Sequence, residues 1–302
     1  MYSRPYQEEL VVKYIEAIKK ALKNLGVNFS GVRYGNIPYY YHDLILRIPT
    51  AKPRQVFLSD VIKGDPEKLQ SVDFIKRKAE KGGDIWPHLS RGWGKLKNLD
   101  KLYNNWGVYH LHLGEDIEKH GYVSRTEGVL LLCISSEAMH FIDVRSHGEE
   151  FPDLWYDIGI MNIILKNWPE QLAGYRSLMT GHNISASSIK EVKRYRDENF
   201  NMPLILSDGN AYISPGMISL QGLSSKGALY YGDLLRTFGV VEQIWREAPS
   251  ALINTYFPWR IPPAALNLFV DNVWPLVRIK AEGSNISLSS SDVWDLAREV
   301  LK

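Results

Sequence analysis

Three runs decide how this chain folds: Val108-Tyr109-His110-Leu111-His112-Leu113-Gly114, Gly128-Val129-Leu130-Leu131-Leu132-Cys133-Ile134 and Met139-His140-Phe141-Ile142-Asp143-Val144. Each is short and rich in β-branched or large apolar residues, and polar connections separate them, which predicts a compact antiparallel sheet. Side chains alternate across a strand, so His110 and His112 share one face while Tyr109, Leu111 and Leu113 share the other. The leucine face is expected to be core. The histidine face is expected to be either a site or a plain solvated surface.

Outward from these runs the pattern turns helical. Leu10, Val11, Tyr14, Ile15, Ile18, Leu22 and Leu25 recur at helical spacing, and Gly26 is placed to end that helix. Asp43 to Pro49 reads as a short buried strand. Asp65-Pro66 opens a second helix, rich in Lys and Arg, that runs to about Lys81 and stops at Gly82-Gly83. Phe151 to Asn167 carries Leu154, Ile158, Met161 and Leu165 at helical spacing, a helix suited to pack on the sheet. After Gly174 the pattern restarts with a capping box at Ser188–Glu191, a hairpin signal at Asp208-Gly209, and a helical stretch over 226–247. Two further helices are expected near 263–280 and 290–301. The fold class is α+β, a small antiparallel sheet flanked by helices with an additional C-terminal α+β unit. The implied division is 1–62, an N-terminal helix and strand extension; 63–174, the core; and 175–302, a C-terminal unit of unknown role.

Composition narrows the function classes. With 302 residues, 45% apolar and 23% charged, the chain is ordinary for a globular protein and long enough for one large or two modest domains. It has no run of 18 uncharged apolar residues and no apolar leader, so a cytoplasmic protein with no membrane partner is expected. The single cysteine, Cys133, excludes an internal disulfide and a Cys-rich zinc site, so any metal would need His and carboxylates. The net charge of +2 hides an asymmetry: residues 1–100 carry 18 Lys and Arg against 11 Asp and Glu, the remainder 18 against 23. A basic N-terminal third suits a polyanion or a solvated lysine-rich face. Walker, Rossmann and Gly-x-Ser-x-Gly motifs are all missing, which leaves nucleotide-dependent and serine-hydrolase chemistry unsupported.

The chemical signal is histidine density: five of the eight, His110, His112, His120, His140 and His147, fall within 38 residues. Arg125 precedes the second strand and reaches the same sheet end if the two strands form a hairpin. A guanidinium beside imidazoles favours phosphate, because it stays charged and grips phosphate oxygens in pairs. A salt bridge to Glu115, Asp116 or Glu127 is the structural alternative for Arg125. His147 lies in a Gly-containing loop after the third strand, where polar groups commonly face a substrate. His140, amid Phe141 and Ile142, reads as structural. The basic run Lys76, Arg77, Lys78, Lys81, Arg91, Lys95 and Lys97 is interleaved with Trp86, Trp93 and Trp106, the mixture of cations and rings that holds single-stranded RNA.

Taken in order, Asp73-Phe74-Ile75 with Lys76 and Lys78, then Val108–Leu113, Ser124-Arg125-Thr126, the strand ending Leu132-Cys133, a further strand, and His147 before a helix make residues 73–165 resemble the YafO branch of the RelE/ParE superfamily, toxins of bacterial toxin–antitoxin pairs. The resemblance covers about a third of the chain. It implies a RelE-like core and a metal-independent endoribonuclease that cleaves messenger RNA, generally on the translating ribosome, with no cofactor and with an antitoxin protein as partner. In such chemistry the substrate's 2′-hydroxyl attacks, a base takes its proton, a cation stabilises the phosphorane, and an acid protonates the leaving 5′-oxygen. Histidine suits the acid and base roles, with an ordinary pKa of about 6.5. His110 and His112 are the acid/base candidates, Arg125 the electrostatic one, and His147 a third acid/base or a phosphate ligand. Family toxins are far shorter, and the first 60 residues and those after Gly174 have no counterpart, so the extra parts suit inhibition, sensing or a choice of another RNA. Two other readings stand beside this one: a metal-dependent hydrolase with His110 and His112 as ligands completed by Asp143 or His147, and a non-catalytic nucleic-acid-binding or partner-regulating protein.

Overall fold

The computed structural model describes residues 5–119, 121–146, 152–177, 188–220, 222–247, 268–272, 278–281 and 287–288. Along the chain come α1 (Pro5–Asn24), α2 (Ile37–Ile45), β1 (Gln55–Leu58), α3 (Asp60–Lys63), α4 (Pro66–Glu80), α5 (Lys101–Trp106), β2 (Tyr109–His112), β3 (Gly128–Ile134) and β4 (Ala138–Ser146). They are followed by α6 (Gly159–Asn167), α7 (Ile189–Asp197), β5 (Leu204–Ile205), β6 (Ala211–Tyr212), α8 (Ser225–Glu247), β7 (Leu268–Asn272), β8 (Arg278–Ala281) and β9 (Ser287–Leu288). The fold is mixed α+β with a small sheet flanked by helices. No helix among the described residues is long and apolar enough to cross a membrane.

Contacts divide the chain into two compact units, Asp43–Trp93 with Asn98–Lys226, and Met1–His42 with Gly94–Lys97 and Gly227–Lys302. The first unit holds the sheet, in the order β1-β4-β3-β2. The three expected strands pair antiparallel, with His110 opposite Leu131 and His112 opposite Val129. A fourth strand departs from the expected all-antiparallel sheet: β1, within the expected N-terminal extension 1–62, pairs parallel with β4. Ser59 locks that crossover, its Oγ donating to the Ile142 carbonyl at 2.6 Å and accepting from Ile62 N at 3.2 Å.

The helices form where local chemistry demands. Asp65 caps α4 by accepting from Glu67 N and Lys68 N, Pro66 sits where no amide hydrogen is needed, and Val72, Ile75 and Ala79 form the buried stripe. The chain leaves this helix through Gly82 at φ +76°, where a Cβ would lie 2.6 Å from Pro53 Cδ. One core joins Leu102 and Trp106 of α5 and Val108, just before β2, to Val129, Leu131 and Ile142 of the sheet and to Ile160, Met161 and Ile164 of α6. Leu111, Leu130, Leu132 and Phe141 lie outside that cluster and are completely buried as well. Both sheet faces are therefore covered. Lys68 Nζ lies 2.7 Å from Asp143, which also binds Arg145 at 2.5 Å, and Arg145 reaches Asp157 at 2.5 Å, a chain of ion pairs along β4.

In the second unit α1 buries Leu10, Tyr14, Ile15, Ile18 and Leu22. Tyr14 meets the ring of Phe238 edge-on at 5.5 Å and shares a 2.7 Å hydrogen bond with His42 Nε2. The strands β7, β8 and β9 form an antiparallel sheet.

Several expectations are corrected. Residues 43–49 are the end of α2 and the turn after it, not a strand. Tyr41, His42, Asp43, Leu44 and Ile45 are all buried, and a helix buried all round shows no periodicity to distinguish it from a buried strand. The described part of 263–280 contains strands β7 and the start of β8 instead of a helix; 290–301 lies outside the described residues. The helix expected over 151–167 is a 3₁₀ turn at Pro152–Tyr156 and then α6, split where the Asp157 carboxylate accepts from Gly159 N at 2.7 Å. The Ser188–Glu191 capping box and the helix expected over 226–247 are both present.

Candidate active site

A cavity of about 720 Å³ opens beside the edge strand β2. Three pieces of chain build it. The first is the turn into α5, where Asp100 is the N-cap: its Oδ1 accepts from Tyr103 N at 3.0 Å, and its Oδ2 lies 3.4 Å from His110 Nδ1. One carboxylate thus fixes a helix start and faces the imidazole of the neighbouring strand. Lys101 follows, leaning on Tyr156, whose hydroxyl it contacts at 3.3 Å. The second piece is β2 itself, which contributes Tyr109 and His110. Burial holds the Tyr109 phenol well above its ordinary pKa, and its hydroxyl donates to the Leu46 carbonyl at 3.1 Å.

The third piece carries Arg125. Between β2 and β3 the chain runs out and back, with Ser124 N donating to the Asp116 carbonyl at 3.0 Å and Glu118 N to the Tyr122 carbonyl at 2.8 Å. Trp86 packs on Tyr122 at 4.7 Å between ring centres, and Arg91 pairs with Glu118. Thr126 pins the return: its Oγ1 accepts from Leu113 N at 3.0 Å and donates to the Gly128 carbonyl at 2.6 Å. Arg125 and Glu127 flank this pinned residue, both exposed and both lining the cavity. Arg125 makes no ion pair with Glu115, Asp116 or Glu127, and none with any other of the described residues. Trp93 and Trp155 supply apolar wall, and the His110 ring meets Trp155 edge-on at 5.6 Å. Arg47 also lines the cavity, with its charge paired to buried Asp43 at 3.2 Å.

The sequence-derived candidates separate here. His110 and Arg125 share the cavity. His112, 2% exposed and opposite Val129, does not line it; the covered face displaces it into the interior, its ring centre 6.5 Å from that of His110. His147 lies outside the described residues. His140 stacks on Phe57 at 5.1 Å and meets Trp168 edge-on at 4.9 Å, with burial lowering its pKa, the structural environment expected of it. The RNA-binding run is dispersed. Lys76 pairs with Glu80, Arg77 with Asp73 and Arg91 with Glu118. Lys78 contacts His88 Nε2 at 3.3 Å, and burial lowers its ammonium pKa. Lys81 is exposed, while Lys95 and Lys97, also exposed, belong to the other compact unit. Trp106 is completely buried, its Nε1 donating to the Trp155 carbonyl at 2.9 Å.

Sequence reasoning missed Asp100 and Lys101. The available signal was an Asp two residues ahead of the apolar Leu102, an N-cap pattern opening a helix directly before the histidine strand. Among the described residues, no three His, Cys, Asp or Glu side chains gather as a metal site; of the two alternatives expected to complete a ligand set, Asp143 is held by Lys68 and Arg145, and His147 lies outside the described residues. Compared with family models, with curated proteins and with solved structures, the chain matches none.

Proposed function

We propose that the cavity beside β2 grips RNA and cleaves it without a metal, by attack of the substrate's own 2′-hydroxyl, in a protein acting as a toxin or defence effector of the RelE/YafO kind. One observation carries this reading: an exposed guanidinium without an ion pair among the described residues and an imidazole facing a carboxylate line the same cavity. With Asp100 facing Nδ1, Nε2 of His110 is the nitrogen that takes the 2′-hydroxyl proton. The 2′-oxygen bonds to phosphorus, the bond to the 5′-oxygen breaks, and that oxygen takes its proton from solvent at the mouth. A 2′,3′-cyclic phosphate and a 5′-hydroxyl end result. Arg125, with Lys101 lining the same cavity, carries the negative charge that grows on the phosphorane oxygens; one preorganised donor of this kind is worth ~3–4 kcal/mol. His112 has no place in this scheme, and the ordered resemblance over residues 73–165 supports the toxin assignment.

The test is RNA incubated with the purified chain, alone and with translating ribosomes, followed by mapping of the ends. Cyclic-phosphate ends that persist in EDTA and fall about 10²–10³-fold in Arg125→Ala are expected. Cleavage by Arg125→Ala at the wild-type rate, or none by the wild type in either setting, refutes the proposal.

A further inference from the structure

Two carboxylates line the cavity, and among the described residues only Asp100 meets a charged or cap partner. Asp100 is consumed by capping α5 and by facing His110. Glu127 is exposed and, beyond a 3.4 Å contact from Ser146 Oγ, makes no hydrogen bond or ion pair among the described residues. It stands two residues from Arg125 with Thr126 pinned between them, so one rigid element presents a cation for phosphate and an acceptor pair for something else. The indole of Trp155 lines the same cavity.

Resting on the ribonuclease reading, we infer that Glu127 selects the base of the RNA bound in this cavity, and that the base is guanine. A carboxylate offers two parallel acceptors and no donor. On its Watson–Crick edge guanine presents two adjacent donors, N1–H and the N2 amine, which match that pair. Adenine and cytosine place a ring-nitrogen acceptor beside their single amine, where it meets the carboxylate lone pairs. Uracil flanks its single N–H with two carbonyls. Single-stranded RNA exposes this edge for such readout, and a matched bidentate pair discriminates by about tenfold to a hundredfold, the equivalent of about 1.4–2.8 kcal/mol.

The experiment is calorimetric titration of the full chain with the 3′-monophosphates of guanosine, adenosine, cytidine and uridine, and with inorganic phosphate. Wild type, Glu127→Gln and Arg125→Ala are compared, with melting curves to confirm folding. Guanosine 3′-monophosphate is expected to bind at least about tenfold more tightly than the other three. Glu127→Gln is expected to erase that preference while the four keep a common affinity, and Arg125→Ala to weaken all four alike. Equal wild-type binding of the four nucleotides, a preference for another base, or a guanine preference that survives Glu127→Gln overturns the assignment while leaving the phosphate-gripping cavity intact. Failure of every nucleotide and of inorganic phosphate to bind the wild type overturns the ribonuclease reading and this inference with it.

Discussion

His42 and His110 are both buried, the one completely and the other to 6% exposure, yet their surroundings differ in kind. His42 lies among Tyr14, Tyr41, Tyr230 and Tyr231, with a tyrosine hydroxyl as its 2.7 Å partner, and burial pushes its pKa down to about 3. It is a neutral packing ring. His110 faces a carboxylate whose position a helix start fixes, and it lines a cavity that Arg125 also lines. Burial alone does not separate a structural histidine from a reactive one; the partner and the neighbouring space do.

The sharpest way to break this comparison is to make the same substitution at both sites. His110→Gln is expected to lower the rate of RNA cleavage by about 10²–10⁴-fold with little change in melting temperature, whereas His42→Gln leaves cleavage per folded molecule unchanged. Equal losses at both positions would show that the two histidines act only through the fold.

A second measurement reads the pair through pH. The folded pKa of His42, about 3, lies below the ordinary 6.5, so between those values the unfolded chain binds the extra proton. The stability that neutral His42 confers is complete above about pH 6.5 and drains away as pH falls toward 3. His88 and His140, both lowered by burial, act with the same sign, so the informative quantity is the difference between wild type and His42→Gln. Wild type is expected to lose several degrees more of melting temperature between pH 7 and pH 4 than the variant. Parallel curves would mean that His42 is not held neutral.

The same distinction governs how much was legible in the sequence. Strand alternation placed His110 and His112 on one face and Leu111 on the other, and that geometry holds. What alternation cannot give is whether a face is covered. The residues that close the histidine face, Leu102, Trp106, Met161 and Ile164, come from segments before and after the strands, and only the tertiary fold brings them there. Arg125 was readable because its loop joins two strands that pair. The partner of His110 was harder to see, since Asp100 looks like an ordinary helix cap until β2 is laid beside it. At residues 43–49 the reading failed because the helix end from Tyr41 to Ile45 is buried throughout, which removed the amphipathic signal there.

Asp100 gives a finer test, because Asn caps a helix about as well as Asp and differs mainly in lacking the charge. Asp100→Asn is expected to retain the melting temperature and to lower cleavage by at least about tenfold, because the carboxylate that holds the His110 tautomer and stabilises its imidazolium is lost. Melting-temperature loss with unchanged cleavage per folded molecule would reduce Asp100 to its capping role.

Cations follow the logic of the histidines, and here the smallest effect is the informative one. Lys76 and Arg77 dominate the charge reading of α4, yet each is paired one helical turn away, Lys76 with Glu80 at 3.2 Å and Arg77 with Asp73 at 3.1 Å. An i,i+4 pair on a helix surface leaves little net field for a phosphate, whereas Arg125 makes no ion pair among the described residues. The double variant Lys76→Ala with Arg77→Ala is therefore expected to change cleavage by less than about fivefold, the equivalent of ~1 kcal/mol, at ordinary salt. Initial rates on a single-stranded RNA decide the matter. A loss as deep as that of Arg125→Ala would move the RNA path onto α4 and remove the contrast between charge that is merely abundant and charge that is available.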